Sequence, residues 1–150
     1  MRNDIYTFLS PDKLAQTYEK VVQYLPDVYR SPEAFLSLYS AKSSLFFEVG
    51  DFAGVFWLTD IWVGWKACVH VVLWGKEFRG MPTIAGEVLA ELMDLLKLQR
   101  LEAFVPTNMR GACSYTERVG FEPEGVLRRA ARYDGKVVDL AAYSIIRGEV

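Results

Sequence analysis

Three groups of residues in this chain have the types and spacing to do chemistry. The first is His70, the one histidine, in the run Lys66-Ala67-Cys68-Val69-His70-Val71-Val72-Leu73-Trp74. An imidazole with an ordinary pKa near 6.5 suits proton transfer at neutral pH. If the run is a strand, His70 shares a face with Val72 and Trp74. Should that face line a cleft, His70 takes a proton from a substrate, directly or through water. The plainer reading is a hydrogen-bonded core histidine. The second group is the carboxylates Glu48 and Asp60, which interrupt otherwise apolar segments. Buried, either would have a raised pKa and serve as a base or as a site for a cationic group; solvent-facing positions near strand ends are the alternative. The third is the loop from Gly75 to Thr83, with Lys76, Arg79 and Gly80, set between an apolar run and a helical pattern. The first turn of a helix leaves N–H groups unpaired and carries the positive end of its dipole, so the loop suits an anion, phosphate above all. A simple strand–loop–helix connection would read the same way.

The elements that must position these groups follow from periodicity. The run 66–74 is β-branched, aromatic and almost unbroken, and predicts a strand buried on both faces. After the loop, Ile84, Val88, Leu92, Leu95 and Leu96 fall on one face of a helix. Upstream, IYTFL predicts a short strand. Ser10-Pro11-Asp12 and Ser31-Pro32-Glu33 each carry helix-start signals, with faces Leu14, Tyr18, Val21, Val22, Leu25 and Phe35, Leu38, Tyr39. LFFEV, AGVFWLTDIW and KACVHVVLW, joined by turns at Gly50-Asp51 and Val63-Gly64, predict an antiparallel meander. RLEAFVP (100–106) is a strand in βαβ relation to the one before it. Thr107 and Asn108 can cap a further helix that Gly120 ends, and a hairpin with an Asp134-Gly135 turn closes the chain. The order is strand, two helices, three strands, helix, strand, helix, two strands: an α/β chain with a mixed, mostly antiparallel sheet of about seven strands and about four helices, in one domain over 1–150.

Composition excludes several classes. A net charge of −2 gives no electrostatic case for nucleic acid or an anionic membrane. No apolar run reaches the roughly 18 residues that span a bilayer. The start has an acid where a secretory signal wants base, so the expected location is the cytoplasm. Cys68 and Cys113 have no metal-binding spacing, and with one histidine they argue against zinc; two reduced thiols are expected rather than a disulfide. Four tryptophans (Trp57, Trp62, Trp65, Trp74) fall in the meander. Some would be core, and others would suit a subunit or partner surface and hence a homo-oligomer.

The element order, and above all Gly120–Ser144, GFEPEGVLRRAARYDGKVVDLAAYS, resembles the GNAT superfamily of acyl-CoA-dependent N-acetyltransferases. Gly-Phe after a helix, Glu-Gly, Leu-Arg, an aromatic-Asp-Gly turn, then Asp and an apolar-Tyr pair are similar to the branch that acetylates ribosomal-protein N-termini. Small GNAT-like proteins of tailed phages have similar His- and Trp-containing middle strands. The resemblance implies that acetyl-CoA lies in a V-shaped opening between the fourth and fifth strands, with its pyrophosphate on the loop and helix start. Arg79 fits the family loop. Pro82 and Ile84 stand where small residues are expected; Pro82 removes a donor and Ile84 adds bulk. The contact would then fall to amides of Gly80, Met81, Thr83 and Ile84, with Lys76 and Arg79. The oxyanion would meet a backbone N–H around Leu73 or Trp74. Asn108 would bond the pantetheine arm or merely cap its helix, and Arg110 would meet a coenzyme phosphate or be a surface charge. The family's thiolate-protonating Tyr is expected at Thr116; here Tyr115 stands one residue earlier, turned about 100° round the helix. The implied activity is acetyl transfer from acetyl-CoA to a primary amine, of a protein N-terminus or a small molecule, with His70, Glu48, Asp60 and Tyr115 as catalytic candidates and no metal. The second reading is a protein of this fold without turnover, serving in binding or structure, as in a phage particle.

Overall fold

Alternating apolar residues that must be buried on both faces of a sheet need a helical layer on each side, and the described residues supply two pairs of helices. The computed structural model describes residues 6–76 and 82–148. Strand β1 (Tyr6–Phe8) leads to a helical segment that begins as a 3₁₀ turn, Pro11–Lys13, under Ser10, whose Oγ accepts the Asp12 N–H at 3.3 Å. Helix α1 (Leu14–Val21) follows and passes into 3₁₀ turns at Val22–Tyr24 and Asp27–Tyr29. The expected first helix is thus broken into short pieces, consistent with the β-branched pair Val21-Val22 and then Pro26 opposing continuation. Helix α2 (Pro32–Ser40) starts as expected, with Ser31 Oγ accepting the Ala34 N–H at 3.1 Å.

The meander consists of β2 (Leu45–Val49), β3 (Gly54–Trp62) and β4 (Lys66–Leu73). Helix α3 is described over Pro82–Leu96 and β5 over Arg100–Pro106. Helix α4 (Arg110–Val119) ends at Gly120, whose φ of 126° favours glycine. The hairpin of β6 (Glu122–Tyr133) and β7 (Lys136–Ile146) turns at Asp134-Gly135. The sheet order is β1-β2-β3-β4-β5-β7-β6, all antiparallel except β4 with β5. Phe47, Phe56, Leu58 and Val69 form the core on the α3/α4 face with Val88, Leu89 and Leu92. Phe46, Val55 and Trp57 form a second core with Val21, Leu25 and Phe35 on the α1/α2 face. Both cysteines are free thiols. No helix among the described residues is long and apolar enough to cross a membrane.

One feature of the ladder governs the rest. The β4–β5 register runs only from Lys66↔Arg100 to Cys68↔Glu102. Beyond it β4 continues to Leu73 on β3, and β5 continues to Pro106 on β7, without pairing to each other. The sheet is split in its middle.

Candidate active site

Two cavities meet at the split. The smaller, about 470 Å³, opens toward α3 and α4 and is walled by Leu73, Ala85, Val105, Met109 and Tyr115 among others. The larger, about 750 Å³, lies on the α1/α2 face, over Thr59, Cys68, Lys66 and Glu102. Leu25, Pro26, Trp57, His70, Phe104 and Tyr133 line both.

His70 therefore stands at the junction, on the same face as Val72 and Trp74, which pack with the second core. Its ring stacks on Trp57 (5.1 Å, 14°), which stacks in turn on Phe46 (5.4 Å, 1°), so one aromatic ladder crosses β2, β3 and β4. Thr59 Oγ1 lies 3.3 Å and Cys68 Sγ 3.8 Å from His70 Nε2. Burial lowers the His70 pKa to about 4, so the imidazole is neutral above that pH. Burial, reinforced by the charge of Glu102, pushes the Cys68 thiol up to about 12, which keeps it protonated.

Two buried donors at the cavities have no hydrogen-bond partner among the described residues: Trp57 Nε1 and the Tyr115 hydroxyl. Leaving such a group unpaired costs about 1–3 kcal/mol, so each is a place for an acceptor atom of a ligand. Burial, partly opposed by Arg118, raises the pKa of Tyr115, and the phenol holds its proton at neutral pH. Thr116, which also lines the smaller cavity, donates its hydroxyl to the Ala112 carbonyl at 2.8 Å.

The backbone of β4 supplies a further donor. Trp74 N–H bonds the Ala53 carbonyl at 2.9 Å, and the indole of Trp74 donates to the Phe52 carbonyl at 2.6 Å. The Trp74 amide is thus taken, contrary to its expected part in the opening. In an antiparallel ladder the next residue's amide points the other way, so Leu73 N–H faces β5, where the pairing has ended. Gly54 makes this approach of β3 to β4 possible: a Cβ there would lie 2.5 Å from Leu73 Cδ2 and 2.8 Å from the Val72 carbonyl.

The remaining expected residues fall in different places. Glu48 lines neither cavity; its carboxylate is held by Lys13 Nζ at 2.8 Å on β2, far from the split in the sheet order. This removes it from the site, because the register Thr7↔Glu48↔Val55 sets it among β1, β2 and β3. Asp60 is exposed, has a φ of 52° in the irregular stretch between Thr59 and Trp62, and edges the larger cavity. Lys76 is exposed just past β4. Arg79, Gly80 and Met81 lie outside the described residues. Thr83 is exposed on the first turn of α3, and Ile84 packs its side chain against the main core rather than standing free. Asn108 is an exposed turn residue and does not cap: Met109 holds the N-cap position of α4, with no side-chain hydrogen bond. Arg110 is exposed on the first turn of α4. Arg128 and Arg132, which a regular strand would set on one face, are separated by an irregularity between Leu127 and Ala131, and Asp139 accepts the Arg129 N–H at 2.8 Å.

Sequence reasoning missed the residues that roof the junction. Leu25 and Pro26 come from the segment between α1 and α2, and Tyr133 from the tip of the β6–β7 hairpin. Asp27 latches the two: its oxygens accept the N–H groups of Asp134 and Gly135, each at 2.8 Å. Arg30 pairs with Asp134 and donates to the Leu25 carbonyl at 2.7 Å. Phe104 was legible only as a member of β5. Its place on the same face as Glu102 was the available signal.

No protein-family model matches the chain, and no curated protein matches it in sequence. Solved structures do match it. The spermidine N-acetyltransferase of Vibrio cholerae, in complex with CoA and spermine, superposes with a TM-score of 0.78 at 18% identity, over 97% of each chain. The ribosomal-protein-S5-alanine acetyltransferase of Vibrio fischeri does so with a TM-score of 0.72 at 14% identity, over 96% of this chain and 93% of that one. A probable acetyltransferase matches at 0.70 and 20%, over 95% and 92%. The chain has the fold of these acetyltransferases, the GNAT fold, with the split sheet in the same α/β frame as expected from the C-terminal motif.

Proposed function

We propose that this chain is an N-acetyltransferase that moves the acetyl group of acetyl-CoA to a primary amine by direct attack. The observation that carries the reading is the split between β4 and β5, with a cavity on each face of the sheet and His70 where they meet. The likeness to enzymes that acetylate spermidine and a ribosomal protein supports it. We take 1–150 to act as one domain, in the cytoplasm.

In this reading the smaller cavity takes the acyl donor. The coenzyme supplies an activated thioester; the amine nitrogen bonds its carbonyl carbon, the C–S bond breaks, and the thiolate leaves with a proton. Leu73 N–H meets the oxygen that gains charge. Tyr115 stands at the donor side with its proton in place and gives it to the leaving sulfur. The phosphates fall to Lys76, Arg79 and the amides of Gly80, Met81, Thr83 and Ile84, with Asn108 and Arg110 reaching in from the start of α4. Ile84 is no obstacle when its side chain is in the core.

On the other face, neutral His70 takes the proton the amine sheds on attack, and Asp60 at the rim attracts the incoming ammonium. An imidazole held near pKa 4 is a weak base, so the amine must arrive already neutral or lose its first proton to water. The competing reading, binding without turnover, draws on Pro82, which has no N–H for the phosphate. Purified protein separates the two. With acetyl-CoA at 100 times its dissociation constant, stability should rise by about 2.7 kcal/mol, and a panel of primary amines should release free CoA thiol. Binding without thiol release from any amine would favour the competing reading.

A further inference from the structure

The turn between β3 and β4 carries an apolar knob that neither core uses. Trp62 and Val63 are each 65% exposed and Trp65 is 45% exposed. The Trp62 and Trp65 rings meet edge to face at 5.1 Å, and Lys66 Nζ lies 4.8 Å from the Trp65 centroid. The other two tryptophans, Trp57 and Trp74, pack with the second core. Clustered exposed indoles of this kind mark contact surfaces.

The knob adjoins the larger cavity through its neighbours Asp60 and Lys66, although its own three residues do not line it. Trp62 is the cross-strand partner of Lys66, and Lys66, Cys68 and His70 lie on one face of β4 and all line that cavity. Asp60 lines it just before the knob, and so does Ser43, whose carbonyl accepts the Ile61 N–H at 3.0 Å. The cavity that begins at His70 therefore runs to Lys66, directly across the strand pair from Trp62. His70 and Lys66 are four residues apart, about 13 Å along a strand.

We propose that Trp62, Val63 and Trp65 form the docking shelf for the acceptor, and that the acceptor amine is the free terminus of a polypeptide. Its chain lies along the β3–β4 face and sets an apolar side chain, near its fourth residue, on the two indoles. This rests on the acetyltransferase reading above. Charge favours a polypeptide over a small polycation. Of the two carboxylates that line the cavity, Glu102 is held by Arg100 at 2.9 Å and Lys66 at 3.2 Å. Burial raises the Glu102 pKa, but those hydrogen bonds outweigh it and hold the pKa below its ordinary value. Among the described residues Asp60 alone is left for a cation, too few for a row of ammonium groups, whereas two indoles and a valine fit an apolar side chain.

The test compares initial rates for lysine-free hexapeptides with a free N-terminus and Leu or Ser at the fourth position, a dipeptide of the same first residues, and spermine. Wild type should use the Leu hexapeptide with kcat/KM about tenfold above the Ser hexapeptide and the dipeptide. Trp62→Ser with Trp65→Ser should bring the three within about twofold, leaving the dipeptide rate and the Kd for acetyl-CoA unchanged. Both positions are exposed, and an unchanged Tm would show that the variant is folded. Equal rates for the three peptides, or spermine preferred to all of them, would overturn the shelf while leaving the acetyltransferase reading intact. Light scattering that shows a wild-type dimer dissolved by the double variant would assign the knob to a second copy and overturn it as well. Absence of acetyl-CoA binding would instead remove the reading on which the shelf rests.

Discussion

The two faces of the split sheet are made in different ways. On the α3/α4 face the opening is made by the backbone of β4 where it leaves β5, with side chains of α3, β5 and α4 along its walls. On the α1/α2 face it is side chains gathered from β3, β4, β5, the segment between α1 and α2, and the tip of the β6–β7 hairpin. The first kind of site rests on where the β4–β5 register ends and on α3 and α4 packing beside it. The second needs the whole chain folded, because the latch from Asp27 to Gly135 joins residues 108 apart. Variants on the two faces should therefore fail differently: donor-face changes should move coenzyme binding or chemistry, and acceptor-face changes should move the acceptor's KM or stability.

The largest separation should come from Tyr115→Phe. If the phenol protonates the leaving sulfur, kcat should fall by about 10²-fold or more, while the Kd for acetyl-CoA stays within about twofold. Stability should hold or rise, because the change removes a buried donor that lacks a partner among the described residues. A purely structural Tyr115 would leave kcat near wild type.

The next effect is one of pH. His70 has a folded pKa of about 4 against about 6.5 when unfolded. The unfolded chain thus binds the extra proton first, and stability falls as pH drops from 6.5 to 4, by on the order of 3 kcal/mol at most. Denaturant melts across that window should show the loss in wild type and much less of it in His70→Gln. The kcat/KM of wild type should show no inflection near pH 6.5. An inflection there would mean a solvated imidazole and would undo the junction.

Gly54→Ala should follow. Its methyl would collide with Leu73 and the Val72 carbonyl, costing about 1–3 kcal/mol. By shifting the Leu73 amide it should also weaken acetyl-CoA binding more than it changes the KM of the acceptor. The smallest effect should be that of Asp27→Ala on the other face. Freeing the hairpin tip should cost about 1 kcal/mol and raise the acceptor's KM, with the coenzyme Kd unchanged.

The same contrast explains how much was legible in the sequence. The element order was readable throughout, since hydrophobic period, Ser-Pro helix starts and the Asp134-Gly135 turn are local signals. His70 with Val72 and Trp74, and the end of α4 at Gly120, followed from alternation and capping alone. Glu48 was not readable, because its partner Lys13 is 35 residues away. Nor was the Trp74 amide, whose direction depends on which β3 carbonyl it meets. Tyr115 looked misplaced by one helical step, yet it lines the cavity together with Thr116, since a cavity wall takes in more than one position of a helix. The roof and its latch could not be seen at all: nothing near Asp27 announces a hairpin more than a hundred residues on.

The most direct test of the central claim, that the β4–β5 split holds acetyl-CoA, is titration calorimetry on wild type, Pro82→Gly, and Pro82→Gly with Ile84→Gly. The account, in which Pro82 takes a first-turn position where its missing N–H is not needed and Ile84 packs against the core, predicts one binding site in wild type, kept or tightened by Pro82→Gly. Binding that appears only in the double variant, or in none of the three, would contradict it.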